Sequence, residues 1–277
     1  MPWFPDFVGA VELARHDTQI AGRTDPVAQY LRALQEGKSR LLEEVWPVQV
    51  VILDPRAGVV TGHSALRHFI SRNQTWLAEH HAQTETLATT RVGQRAVVEL
   101  RVRVEHEGQD VSWPVAVVAD SPDDTSVVFR TYCSQWPVDG RRHLRPPILT
   151  ARPHHPHDVV SRYQAALAAG DVDAIVRTFE PDGYYQEPTG PEPLHRGTDR
   201  LREFFDQCFA AGGGLTLEQC EVTDDGTRCV LEYNCLRWGP FDLPPQAGLA
   251  AFERGADGLL AAVRAYDDIE PPKSDPS

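Results

Sequence analysis

The sequence lacks an apolar run approaching the roughly 18 to 20 residues that a membrane-spanning helix requires. Its N-terminus also lacks the basic segment and apolar core of a leader peptide. A cytoplasmic protein without a membrane partner is therefore expected. Basic charge is scarce: 27 Lys and Arg stand against 40 Asp and Glu, a formal net charge of −13. No cluster of cations is available to neutralise phosphates, which argues against a nucleic-acid partner. The five cysteines, Cys133, Cys208, Cys220, Cys229 and Cys235, are odd in number and show no Cys-x-x-Cys spacing. Buried, reduced thiols are expected. A Gly-rich phosphate loop, a Ser-His-Asp order and a cysteine-nucleophile motif are all missing, and with them the usual signs of a bound cofactor.

What is present is length and pattern. The chain has 277 residues, enough for two domains of roughly 100 to 150 residues each. Acidity is concentrated in the second half: residues 151–277 carry 11 basic and 22 acidic side chains, against 16 and 18 in residues 1–150. From Asp6, the apolar residues Phe7, Val11 and Ala14 recur at helical spacing up to Ala21-Gly22, which predicts an N-terminal helical arm over 1–24. Asp25 can then cap a helix with Pro26 at its first position and Val27, Tyr30, Leu31 and Leu34 on one face, stopped by Gly37. A short helix over Leu41–Trp46, a β-branched strand from Val48 to Leu53 and a turn at Asp54-Pro55 follow. Next come a helix after Gly62 and strands around 87–91, 96–105, 112–119 and 127–134.

The second half repeats this order at a nearly constant offset. Tyr163, Leu167, Gly170, Phe179 and the pair Glu187-Pro188 lie 133 residues after Tyr30, Leu34, Gly37, Trp46 and Asp54-Pro55; Tyr266 lies 134 after Tyr132. An offset held over a hundred residues marks a tandem duplication. Its seam is the Pro- and Arg-rich segment that follows residue 140. Expected units are thus 25–140, a linker over 141–157, 158–271 and a disordered tail over 272–277.

The stretches Arg162-Tyr163, Ala169-Gly170-Asp171, Phe179, Glu187-Pro188-Thr189-Gly190 and His195-Arg196-Gly197, with the closing Arg264-Ala265-Tyr266 strand, carry a resemblance. Together they resemble the SnoaL-like, nuclear-transport-factor-2-like family, which includes ketosteroid isomerases, polyketide cyclases and limonene-type epoxide hydrolases. The first half matches through Tyr30, Gly37, Asp54-Pro55 and Gly62. The resemblance implies an α+β fold of two cone-shaped barrels, each a curved antiparallel sheet with covering helices around a pocket. It also implies that the two cones pair through their sheets as an intramolecular pseudo-dimer, with a homodimer of the whole chain as the alternative.

By the same resemblance, Glu187 is the acid that moves a proton and Tyr163 the donor to a developing oxyanion. Such chemistry needs no cofactor, only a partly desolvated carboxylate and a phenol shielded from water. The acid that isomerases carry on the strand before Phe252 is replaced near Gly248. Glu232 is a candidate substitute, because Glu232 and Asn234 share a strand face that alignment through Trp238 turns toward the pocket, whereas a one-residue slip would turn both outward. Tyr185, Asn234, Trp238 and His195 are the candidate substrate contacts. The first-half equivalents are Tyr30, Asp54 and Glu99; on the Glu99 strand, alternation with Arg101 and Arg103 fits a wet sheet face better than a charged pocket. Plainer roles compete: Glu187 as a turn cap, Tyr163 as a core tyrosine, His195 as turn support. The cluster His154-His155-Pro156-His157 lacks carboxylate or cysteine partners at ligand spacing, so no metal is expected. The implied ligand is a small, mostly apolar or polyketide-like carbonyl compound or epoxide held in the second half. A ligand-binding or partner-binding protein without chemistry is the rival.

Overall fold

The computed structural model describes residues 19–152, 158–189 and 194–269. Most of the expected N-terminal arm, the three linker histidines and the 272–277 tail lie outside these residues. Helical residues 19–24 are the described end of helix α1, which runs past the expected stop at Ala21-Gly22. The reason is contact rather than termination: a Cβ at Gly22 would lie 2.7 Å from Val45 Cγ2, so the glycine lets the helix sit against the body.

The next elements follow their local signals. Helix α2 (Pro26–Glu36) is capped by Asp25, whose carboxylate accepts from Ala28 N at 3.1 Å, and ends at Gly37 with φ 67°. That left-handed conformation is one only glycine adopts cheaply. Then come α3 (Arg40–Glu43), β1 (Gln49–Asp54), β2 (Gly58–Thr61), α4 (His63–Glu79), β3 (Gln83–Val92), β4 (Arg95–His106), β5 (Gln109–Asp123), β6 (Ser126–Tyr132) and α5 (Trp136–Asp139). The second half gives α6 (Val159–Ala169), α7 (Val172–Val176), β7 (Phe179–Gln186), β8 (Leu194–Arg196), α8 (Thr198–Cys208), β9 (Leu215–Asp224), β10 (Arg228–Trp238), β11 (Phe241–Arg254) and β12 (Leu260–Ala265). Helix α6 repeats the α2 device, with Asp158 capping Val160 N and Gly170 at φ 67°.

Each half forms one six-stranded sheet, ordered β2-β1-β6-β5-β4-β3 and β8-β7-β12-β11-β10-β9. The pairs β1·β6 and β7·β12 are parallel and the others antiparallel, so the sheets are mixed. Helices cover one face of each sheet, and alternate strand residues such as Val98, Leu100, Val102, Val115 and Val117 enter the first core. The other faces of the two sheets meet. Val97, Ala116, Val118 and Tyr132 pack against Val230, Leu249, Ala251 and Tyr266, so central strands are apolar on both sides.

The two halves exchange charges across this contact. Glu232 of the second half receives Arg130 Nε at 2.6 Å, Arg130 Nη2 at 2.7 Å and Tyr132 OH at 2.7 Å from the first. Reciprocally, Glu99 receives Arg264 Nε at 2.5 Å, Arg264 Nη2 at 3.0 Å and Tyr266 OH at 2.7 Å. Both glutamates are buried, each by bidentate arginine pairing plus a phenol. Burial alone would lower the Arg130 guanidinium, but Glu232 outweighs it and holds Arg130 above its ordinary value; Glu99 does the same for Arg264. The pairing has the self-complementary logic of a twofold dimer, carried by one chain.

Candidate functional site

The first half is, among the described residues, the one with a space large enough to admit a ligand. Among the described residues, a cavity of about 670 Å³ lies between α2, α4 and the β1–β2 turn on one side and β4–β6 on the other. The corresponding space in the second half is about 50 Å³. The expectation of a second-half pocket is thus corrected. A volume of several hundred Å³ matches ordinary small-molecule sites, whereas the smaller one has room for little beyond water.

The difference lies in a few side chains at matched positions. Leu100 pairs with Val115 across β4 and β5; at the equivalent place on β10 and β11, Tyr233 pairs with Gly248. The Tyr233 ring occupies the room left by Gly248, where a Cβ would come within 2.4 Å of Tyr233 Cε2 and 2.6 Å of Asp267 Oδ2. Tyr233 OH donates to Asp267 Oδ2 at 2.5 Å. Burial raises the Asp267 carboxyl to about 6, although this hydrogen bond and the Ile269 N–H act in the opposite direction. Phe204, Phe205 and Trp238 fill further volume. Helix lengths contribute as well: α4 has 17 residues and α8 has 11. Beyond α8 the chain turns back at Gly212-Gly213-Gly214, so close to α6 that a Cβ on Gly214 would lie 2.3 Å from Leu167 O.

The second-half candidates are only partly brought together: Tyr163, Tyr185 and Trp238 line the residual space, whereas Glu187, His195, Glu232 and Asn234 do not. Tyr163 is buried with its ring edge-on to Phe179, Phe205 and Phe252, and burial raises its phenol. Glu187 lies apart from it, with Oε1 2.8 Å from His195 Nε2 and no part in lining the residual space. His195 stacks on Phe204, as does Tyr185. Glu232 and Asn234 face away from the core; Asn234 Nδ2 donates to Leu149 O at 3.3 Å. Trp238 does line the space, yet a bulge between Cys235 and Arg237 reverses the alternation between it and Asn234. Glu99, too, sits between the sheets, while its neighbour Arg103 is exposed and Arg101 pairs with the exposed Glu85. The wet face is thus real beyond Glu99 and dry at it.

In the first half the equivalents of the expected pair do meet a cavity. Tyr30, on the inner stripe of α2, stacks on Phe129 with ring centroids 4.6 Å apart and lines the space together with Asp54. Burial raises the Tyr30 phenol and the Asp54 charge adds to it, so Tyr30 stays protonated, a hydrogen-bond donor. Asp54 is the one carboxylate among the lining residues; its Oδ1 accepts from Arg56 N at 2.9 Å and Ala57 N at 2.8 Å. Cys133 lies on the wall, but burial and Asp54 push its thiol up, away from thiolate chemistry. The deep walls are Leu100, Val102, Trp113, Val117 and Trp76.

Profile comparison matches the family description "SnoaL-like domain" to residues 27–128 and again to residues 160–265. The chain belongs to the SnoaL-like domain family. Solved structures to which it is similar include a SnoaL-like protein of unknown function from Burkholderia thailandensis, at 17% identity, 39% of this chain, 89% of that one and TM-score 0.33. Another is SalBIII, an epoxide hydrolase/cyclase-like enzyme in pyran ring formation of salinomycin, at 20% identity, 39% and 86% coverage and TM-score 0.33. A third is the Orange Carotenoid Protein from Anabaena, in its canthaxanthin-bound structure, at 21% identity, 48% and 45% coverage and TM-score 0.34.

Each SnoaL-like half borrows from the other. Asp268, just past β12, receives Ser134 Oγ on Oδ1 and the backbone N–H groups of Gln135 and His143 on Oδ2, the latter two at 2.8 and 3.0 Å. Gln135 lines the first cavity, so the closed half holds part of the open half's wall. Sequence reading missed His68, Arg72, Trp76 and Trp113. The α4 stripe Ala65, His68, Arg72 and Trp76, spaced at three to four residues, was the available signal. No group of side chains suited to a metal ion occurs among the described residues, and none of their helices is long and apolar enough to cross a membrane.

Proposed function

We propose that the first half is the working domain: it binds a small, mostly apolar carbonyl compound or epoxide and acts on it by general acid/base chemistry, with Asp54 as base and Tyr30 as donor. One observation carries this reading. The cavity of about 670 Å³ holds a single lining carboxylate and a buried phenol whose pKa burial raises. Asp54 has Oδ2 free of the turn amides that occupy Oδ1, so one oxygen orients the carboxylate and the other is left to take a proton. The phenol stabilises negative charge as it develops on substrate oxygen, where water exclusion strengthens the bond. The second half acts as scaffold. Limonene oxide and a cyclic β,γ-enone serve as test substrates. Asp54→Asn should lower turnover at least about a hundredfold, the scale of lost general-base catalysis. Glu187→Gln should leave it within about twofold; the reverse pattern would return the chemistry to the second half.

Ligand carriage without chemistry is a second reading, favoured by the two turn amides on Asp54, since a carboxylate so held also serves as a plain turn cap. Saturable binding of both compounds, with no product and no effect of Asp54→Asn on affinity, would select it.

A further inference from the structure

We infer that the ligand of the first-half cavity is an amphiphilic organic anion, an apolar carboxylate whose charged end rests at the mouth against Arg72. The inference rests on the reading that this cavity is the working site. It starts from a local reversal of charge. The protein carries −13 and most of its arginines meet a carboxylate, as Arg56 meets Asp139 at 2.7 Å and Arg101 meets Glu85 at 3.1 Å. Arg72 lines the cavity and has no carboxylate partner among the described residues.

Its surroundings fit a bound anion. His68 precedes Arg72 by one helical turn on α4, and both are exposed side chains that also line the cavity, so they stand at its opening. Arg56 approaches from the β1–β2 turn. Among lining residues, then, Arg56 is already met by Asp139, Arg72 is not met by a carboxylate among the described residues, and the one lining acid, Asp54, has one oxygen satisfied by backbone amides. Deeper positions offer no second charge. Trp76, one turn beyond Arg72, stands edge-on to Trp113 with centroids 5.9 Å apart, and Leu100, Val102 and Val117 continue the apolar wall. A guanidinium presents a planar fork suited to a carboxylate, and one with no carboxylate partner among the described residues, at the rim of an apolar cavity in an acidic protein, is where an anion gains most.

The test uses the full chain and a pair of near-isosteres, naphthylacetic acid and naphthylacetamide, titrated by calorimetry at neutral pH. The acid should bind about two- to fivefold more tightly than the amide, the scale of one exposed charged contact. Arg72→Gln should bring the acid down to the level of the amide and leave the amide unchanged. Added salt should weaken the acid alone. An amide that binds as well as the acid, or an Arg72→Gln variant that weakens both alike, overturns the charge assignment while leaving the cavity reading in place. Binding of neither compound, or equal binding to a Val117→Trp variant with the cavity filled, overturns the cavity reading and the inference with it.

Discussion

Replacing Glu232 separates a structural role from a chemical one. The carboxylate is 2% exposed and Arg130 3% exposed, and their two charge-assisted hydrogen bonds are joined by the Tyr132 hydroxyl. Removing one member of such a pair leaves a buried charge without compensation and costs about 3 to 5 kcal/mol. Arg130 retains one other acid, Asp120 at 3.5 Å, itself 28% exposed, which places Glu232→Gln toward the lower end. With about 2 to 4 °C per kcal/mol in a chain of this size, the melting temperature should fall by roughly 6 to 12 °C. Urea unfolding gives the free energy directly, and the double variant Glu232→Gln, Arg130→Met should recover at least about half of the loss, because the stranded charge is gone. Turnover measured well below the melting temperature should be unchanged. A variant that melts within 1 to 2 °C of the parent but loses activity would refute the argument and restore Glu232 as a catalytic acid.

Two further outcomes follow from the second-half core. Asp267 is a carboxyl raised by burial from an ordinary value near 4 to about 6 in the folded state. Its cost to stability is absent below about pH 4, grows as pH rises and is complete above about 6. Asp267→Asn should therefore stabilise the protein at pH 7, by about 1 to 2 kcal/mol after allowance for the altered hydrogen bond to Tyr233, with no gain at pH 4. Urea midpoints at the two pH values check the sign, and a gain confined to acid pH would reverse the assignment. Gly248→Ala should cost about 2 to 3 kcal/mol, because its Cβ would meet both Tyr233 and Asp267 well inside contact distance. The matching exchange Tyr233→Leu should relieve the Tyr233 part of that clash and leave the Asp267 part, and calorimetric melting of the single and double variants tests it.

How much of the site was legible follows from the kind of signal each residue sends. Asp25-Pro26 and Gly37 announce α2 through capping chemistry that needs nothing beyond the neighbouring residues, and Tyr30 falls on the buried stripe by helical period. Asp54 and Glu187 are interchangeable by local pattern, since both precede a proline at the end of a strand. What distinguishes them lies well along the chain in Leu100 against Tyr233 and Val115 against Gly248, pairs that matter only once the strands are in register. The face chosen by Glu232 was illegible for a related reason. Parity counted back from Trp238 points it inward, and one bulged residue points it out.

From the residues alone, then, came the duplication, the family, the order of elements and the short list of acids and phenols, all of which depend on local propensity or on repetition along the chain. Which copy stays hollow and which glutamates become interface ions were decided by the tertiary structure, as was the place of Arg72 at the cavity with no carboxylate partner among the described residues. Side-chain volume, strand register and charge pairing act between residues that only folding brings together, and a single bulge is enough to turn a strand residue to the other face.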